Sequence, residues 1–94
     1  MHLERSLAQL RERLARCRED LRIVEEQILF QRDVVDEAET RMVVSETPLA
    51  DREYRDARDD LGRLERQRDR VTAEMAELRR EQDRLLDRML EPRP

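Results

Sequence analysis

The chain holds few side chains suited to chemistry: one histidine, one cysteine and 24 carboxylates among 94 residues. His2 stands at a chain end that can fray, and a metal there lacks partner ligands. Cys17 has Arg13, Arg16 and Arg18 nearby. A reactive thiol needs such charge, but also exposure. Cys17 falls within an apolar series, which predicts a small buried side chain instead. Glu25-Glu26, Asp59-Asp60 and the i,i+4 pair Asp56 and Asp60 are spaced to hold Mg²⁺ or to act as paired acids. Arg52, Arg55, Arg58 and Arg63 surround the last pair, and on an exposed helix such carboxylates more often pair with arginine. Arg68 interrupts an apolar series. It either binds a ligand or turns its head toward Glu65 or Glu25 at the edge of the packing. The chain has no glycine-rich phosphate loop and no Ser/His/Asp set. The expectation is a non-enzymatic protein with no metal and no cofactor.

Composition narrows the class. Charged residues are 47% of the chain and the mean hydropathy is -1.02, values that suit disorder. Yet there are only one Gly and three Pro, and the apolar residues are regularly spaced, which reads as long helix or coiled coil. The 20 basic residues are all arginine and are interleaved with the acids, leaving a net charge of -4. No basic block stands out, so nucleic acid is not the expected partner. No apolar stretch approaches ~20 residues and the first residues carry no apolar signal region, so no membrane association is expected and a cytoplasmic location is. One cysteine excludes an internal disulfide.

The elements that position these residues follow from spacing. Steps of four and three from Leu3 give Leu7, Leu10, Leu14, Cys17, Leu21, Val24, Ile28, Gln31, Val35, Ala38 and Met42. Only Gln31 is polar, so this is an a/d seam of nearly six heptads. A second series starts at Ala50 and runs through Tyr54, Ala57, Leu61, Leu64, Arg68, Val71, Met75, Leu78, Gln82, Leu85 and Met89. Between the two, Thr47 suits an N-cap and Pro48 the first helical position, with Asp51 and Glu53 near the positive end of the helix that follows. Pro92 and Pro94 end that helix. The expected fold is all-α, a single antiparallel coiled-coil hairpin over 1–94. Its helix 1 covers about 3–45, its turn about 46–47 and its helix 2 about 48–91, each helix roughly 65 Å long. The preferred register pairs residues whose numbers sum to 92, such as Leu14 with Leu78, Cys17 with Met75 and Ala38 with Tyr54. A one-heptad slip, summing to 99, lengthens the loop and pairs Ala38 with Leu61.

Helix 1 carries more apolar residues than one seam uses. Ile23, Leu29, Phe30, Val34, Val43 and Val44 lie off the a/d stripe, and helix 2 adds Leu86 and Leu90. These are either scattered surface residues or a second seam. A second seam predicts a self-association strip of Ile23, Leu29, Phe30 and Val34, and a homodimer forming a four-helix bundle. The segment 45–51 is the least repetitive part of the chain. Glu46, Thr47, Pro48, Asp51 and Glu53 form either a partner-binding tip or only turn and cap chemistry.

The run Glu53-Tyr54-Arg55-Asp56-Ala57-Arg58, with Gly62 beyond it, resembles the start of the second helix of the Gre transcript-cleavage factors. The resemblance covers about 15 residues plus the hairpin layout. It implies a hairpin that enters the RNA polymerase secondary channel and regulates transcription. In that family acidic residues at the tip hold a catalytic Mg²⁺. Thr47 and Ala50 stand at the matching positions here, with Glu46 and Asp51 nearby, and the family's C-terminal domain is absent, so the likeness implies polymerase binding without cleavage. An arginine-rich helical hairpin is also similar to the actinobacterial anti-sigma proteins that bind cyclic di-GMP. Of their motif, the run Asp56, Asp60, Arg63, Gln67, Val71 keeps only the Arg and Gln, so no heat on mixing with that nucleotide is expected. The leading expectation is a coiled-coil interaction or scaffold module. The alternative is a transcription regulator that contacts polymerase through its tip.

Overall fold

The computed structural model describes residues 2–92. It is an all-α helical hairpin of two elements, α1 (His2–Ser45) and α2 (Pro48–Leu90), 44 and 43 residues long. Both boundaries lie within one residue of the expected ones. α2 stops at Leu90 because Pro92 has no N–H to give and biases the residue before it away from helical backbone. A last amide, Glu91 N, still closes on Arg88 O at 3.4 Å. The helix-ending role expected of Pro94 lies outside the described residues.

Two residues reverse the chain. Glu46 takes φ 50, the left-handed conformation that ends many helices. Its N–H donates to Met42 O at 3.1 Å, satisfying one carbonyl of the last turn. Thr47 then caps α2: Ala50 N donates to Thr47 Oγ1 at 3.2 Å and Asp51 N to Thr47 O at 3.1 Å. Pro48 occupies the first helical position, as its fixed φ suits. So short a connection sends α2 back along α1, and the cross-helix contacts Arg13–Glu74, Gln31–Ala57 and Arg41–Glu53 fall nearer the sum of 92 than that of 99. The longer loop needed by the one-heptad slip is not there.

The chain divides into two compact units. One comprises residues 1–21 and 70–94, the open end. Its core is Leu10, Leu14, Cys17, Met75 and Leu78, with Leu21, Val71 and Leu85 packed against it. Leu14 and Leu78 are each only 2% exposed, as facing partners should be. Arg13 and Glu74 cross between the helices at 4.0 Å. At the outermost expected layer Leu3 is only half-buried. Met89 is 40% exposed, because helix ends have no further layer to shield them.

The other unit, residues 22–69, holds the corner. Val24, Ile28, Ala38, Ala50 and Ala57 are buried in it. Tyr54 stays half-buried. Gln31 sits among these apolar layers and is satisfied by donating from Nε2 to Ala57 O at 3.0 Å. Arg41 and Glu53 pair across the helices at 3.6 Å. Among the described residues no polar or charged residue is fully buried, so both interiors are apolar.

Two stability outcomes follow. Leu14→Ala removes a fully packed layer and should lower the unfolding free energy by about 2–5 kcal/mol, whereas Leu90→Ala at an exposed site should change it by less than about 0.5 kcal/mol. Glu46→Gly should raise stability by about 0.5–1 kcal/mol, since glycine adopts positive φ without the Cβ clash. Urea denaturation followed by circular dichroism measures all three. An unchanged or lower midpoint for Glu46→Gly would mean the corner is not under that steric load.

Candidate functional site

The residues expected at the tip are all exposed. Thr47, Pro48 and the Asp51 amide are used in the cap, and Glu53 is paired with Arg41. The side chains of Glu46 and Asp51 make no ion pair among the described residues. The apolar residues of this end are exposed as well: the off-stripe Val43 at 65% and Val44 at 77%, and Leu49, which the spacing does not single out, at 64%. Leu49 carries no periodic signal because it falls in the irregular segment between the two apolar series.

The apolar strip of α1 divides across the seam. Phe30, 71% exposed, lines one groove with Glu26, Gln27, Gln31 and Leu64. Leu29 lines a different groove with Glu25, Ile28, Arg32 and Arg68. Neighbouring helical residues project about 100° apart, so residues 29 and 30 look out on opposite flanks of the contact line. Ile23 is exposed and Val34 is half-buried; by spacing both belong to the Phe30 side. The four residues are thus one stripe of three plus Leu29 apart from it.

The titratable candidates have ordinary surroundings. Arg68 reaches neither Glu65 nor Glu25; it bonds its neighbour Asp69 through Nε at 3.3 Å and Nη2 at 3.2 Å. Glu26 accepts from Arg22 at 2.7 Å, and Asp60 pairs with Arg63. Arg80, through its hydrogen bond, and Arg84 hold the Glu77 carboxyl below the usual carboxylate range. Among the described residues no group of three or more His, Cys, Asp or Glu side chains is placed to hold a metal ion. No helix is long and apolar enough to cross a membrane.

Cys17 is 5% exposed inside the open-end core. Burial, and then the nearby carboxylates Glu74 and Asp20, push its thiol above the ordinary range. Arg13 acts in the other direction but is outweighed. The arrangement keeps the thiol protonated and out of contact with solutes, the opposite of what a nucleophile needs.

A further polar groove lies on the outer face of α2 around Gly62, where the sequence suggested only solvated ion pairs. Compared with known proteins, the chain matches no protein family, no curated protein and no solved structure.

The Cys17 environment sets an expected outcome. A thiol reagent should label native protein far more slowly than urea-unfolded protein at neutral pH. A raised thiol pKa stabilises the fold below the ordinary thiol range, and that contribution is lost as pH rises through the folded-state value. Fast labelling of the native protein would show that the open end exposes Cys17 to solvent.

Proposed function

We propose that this chain is a non-enzymatic helical-hairpin module for protein–protein contact, which self-associates through the Phe30 side of α1 into a homodimeric four-helix bundle. The observation that supports this is Phe30, the chain's one phenylalanine, held 71% exposed in a chain that is 47% charged. Isolated exposed apolar residues are common on protein surfaces. Here, however, Ile23, Phe30 and Val34 recur at helical spacing on one flank, so a second copy covers them all at once. A twofold axis brings the same stripe from both copies together and closes the assembly.

A second reading rests on the tip. The Glu46 and Asp51 side chains lack ion-pair partners among the described residues, and the apolar Val44 and Leu49 flank them. Under that reading the corner docks on RNA polymerase, as the Gre resemblance implies, and regulates transcription without cleaving the transcript.

Sedimentation equilibrium should give twice 11.4 kDa for the wild type and 11.4 kDa for the double variant Ile23→Glu with Phe30→Glu, with helicity kept in both. A wild type that stays monomeric at high concentration removes the self-association. Retention on purified RNA polymerase by the wild type, lost in Glu46→Ala with Asp51→Ala, moves the assignment to the second reading.

A further inference from the structure

Gly62 is the only glycine in the chain and stands in the middle of α2. Glycine inside a helix costs about 1 kcal/mol relative to alanine. No backbone requirement explains it, because its φ is not positive. Packing between the helices does not require it either. A Cβ built at Gly62 meets only the Arg66 Nη1 atom, at 3.3 Å, the far end of a flexible side chain. What the missing side chain does is leave a notch in the outer surface of the helix over which the Arg66 head group lies, so that a ligand held by that guanidinium sits close to the backbone.

Arginines surround that notch. Arg55, Arg58, Asp59, Gly62, Arg63 and Arg66 line one groove of about 510 Å³. Their spacing from Arg55 is three, four, seven, eight and eleven residues, which places all of them on one helix face. Four guanidinium groups therefore flank a gap containing one carboxylate, in a chain whose net charge is -4. Only Arg63 is held by an acid, Asp60. Arg58 lies over the Tyr54 ring, 5.6 Å from its centroid, which directs it without neutralising it. Arg55 and Arg66 form no ion pair among the described residues. The groove at the open end differs: there Arg13 and Arg84 already have Glu74 and Glu77 as partners.

We infer that the outer face of α2 around Gly62 is an anion-binding site for a small phosphate-bearing ligand, held by Arg55, Arg58, Arg63 and Arg66. The chemistry that selects phosphate is the guanidinium fork, which donates two parallel hydrogen bonds to a pair of phosphate oxygens. Two arginines stand on the N-terminal side of the notch and two on the C-terminal side, so two linked phosphates engage both sets. The notch lets the ligand sit against the helix instead of above it. Asp59 lies within the groove and favours a ligand that leaves its carboxylate at the edge. The site is on α2 and does not depend on the self-association of α1.

Inorganic pyrophosphate, titrated calorimetrically into the full chain at low salt, is the test. The wild type should bind one pyrophosphate per chain, more weakly as salt rises. Arg55→Gln with Arg66→Gln should weaken binding at least tenfold, while Arg80→Gln with Arg84→Gln, an equal loss of charge elsewhere on α2, should leave it within about twofold. Gly62→Leu should weaken binding comparably while raising the thermal midpoint, which separates loss of the notch from loss of the fold. Adenosine triphosphate in place of pyrophosphate shows whether a free or a nucleoside-linked phosphate is preferred; binding of either with this variant pattern supports the site. The inference is overturned if neither compound binds, or if both double variants weaken binding equally. Binding only of a single-stranded oligonucleotide also overturns it, in favour of a nucleic-acid surface.

Discussion

The chain turns back on itself across Glu46 and Thr47, and almost everything else depends on how tight that reversal is. Coiled-coil layers built mainly of Leu, Val, Ala and Met differ little from one heptad to the next, so their apolar contacts alone would tolerate several alignments. The corner removes that freedom. It ends α1 with a left-handed residue, starts α2 with a hydroxyl cap, and leaves no slack to redistribute. With the alignment set there, the apolar face of α2 arrives in phase with that of α1, and Leu14 and Leu78 disappear from solvent together. A conformation unfavourable for glutamate is thus kept because the packing it permits is worth more than the local strain.

Charge has a lesser energetic part and a larger organising one. The ion pairs are exposed on both sides, as in Arg22 with Glu26 or Arg80 with Glu77, and such pairs contribute about 0–1 kcal/mol each. Their value lies in keeping nearly half of the side chains solvated and the helices apart from unwanted neighbours. Arginine supplies every cation. Its stem covers the flanks of the apolar layers while its head stays wet, as the partly exposed Arg68 illustrates in the middle of the α2 seam.

Much of the fold was legible because its signals are local and repeated. The seam of α1, the Thr47 cap, the Pro48 start and the burial of Cys17 all follow from residue type and spacing. The misses come where a side chain has a choice. Arg68 had three acids within reach and took the adjacent Asp69, an outcome set by rotamers that spacing does not encode. Leu29 shares with Phe30 a place off the a/d stripe, although one residue along a helix is enough to send it to the other flank. The groove at Gly62 was present in the spacing of its arginines. It was obscured because Arg55, Arg63 and Arg66 each have a carboxylate three or four residues away in sequence, and among the described residues the structure leaves Arg55 and Arg66 without an ion pair.

Gln31 has a consequence for alignment that its small energy conceals. Its amide reaches past its own layer to the main-chain oxygen of Ala57 and so lies between apolar layers with its donor satisfied. Sliding α2 by a heptad in the direction that lengthens the loop would set Gln31 opposite Arg68, two polar side chains in one layer of the apolar seam. The opposite slide is forbidden by the corner, which has no residues left to give up. The molecule therefore carries a ratchet with two stops, one polar and one topological, and neither has to be strong for the alignment to be unique.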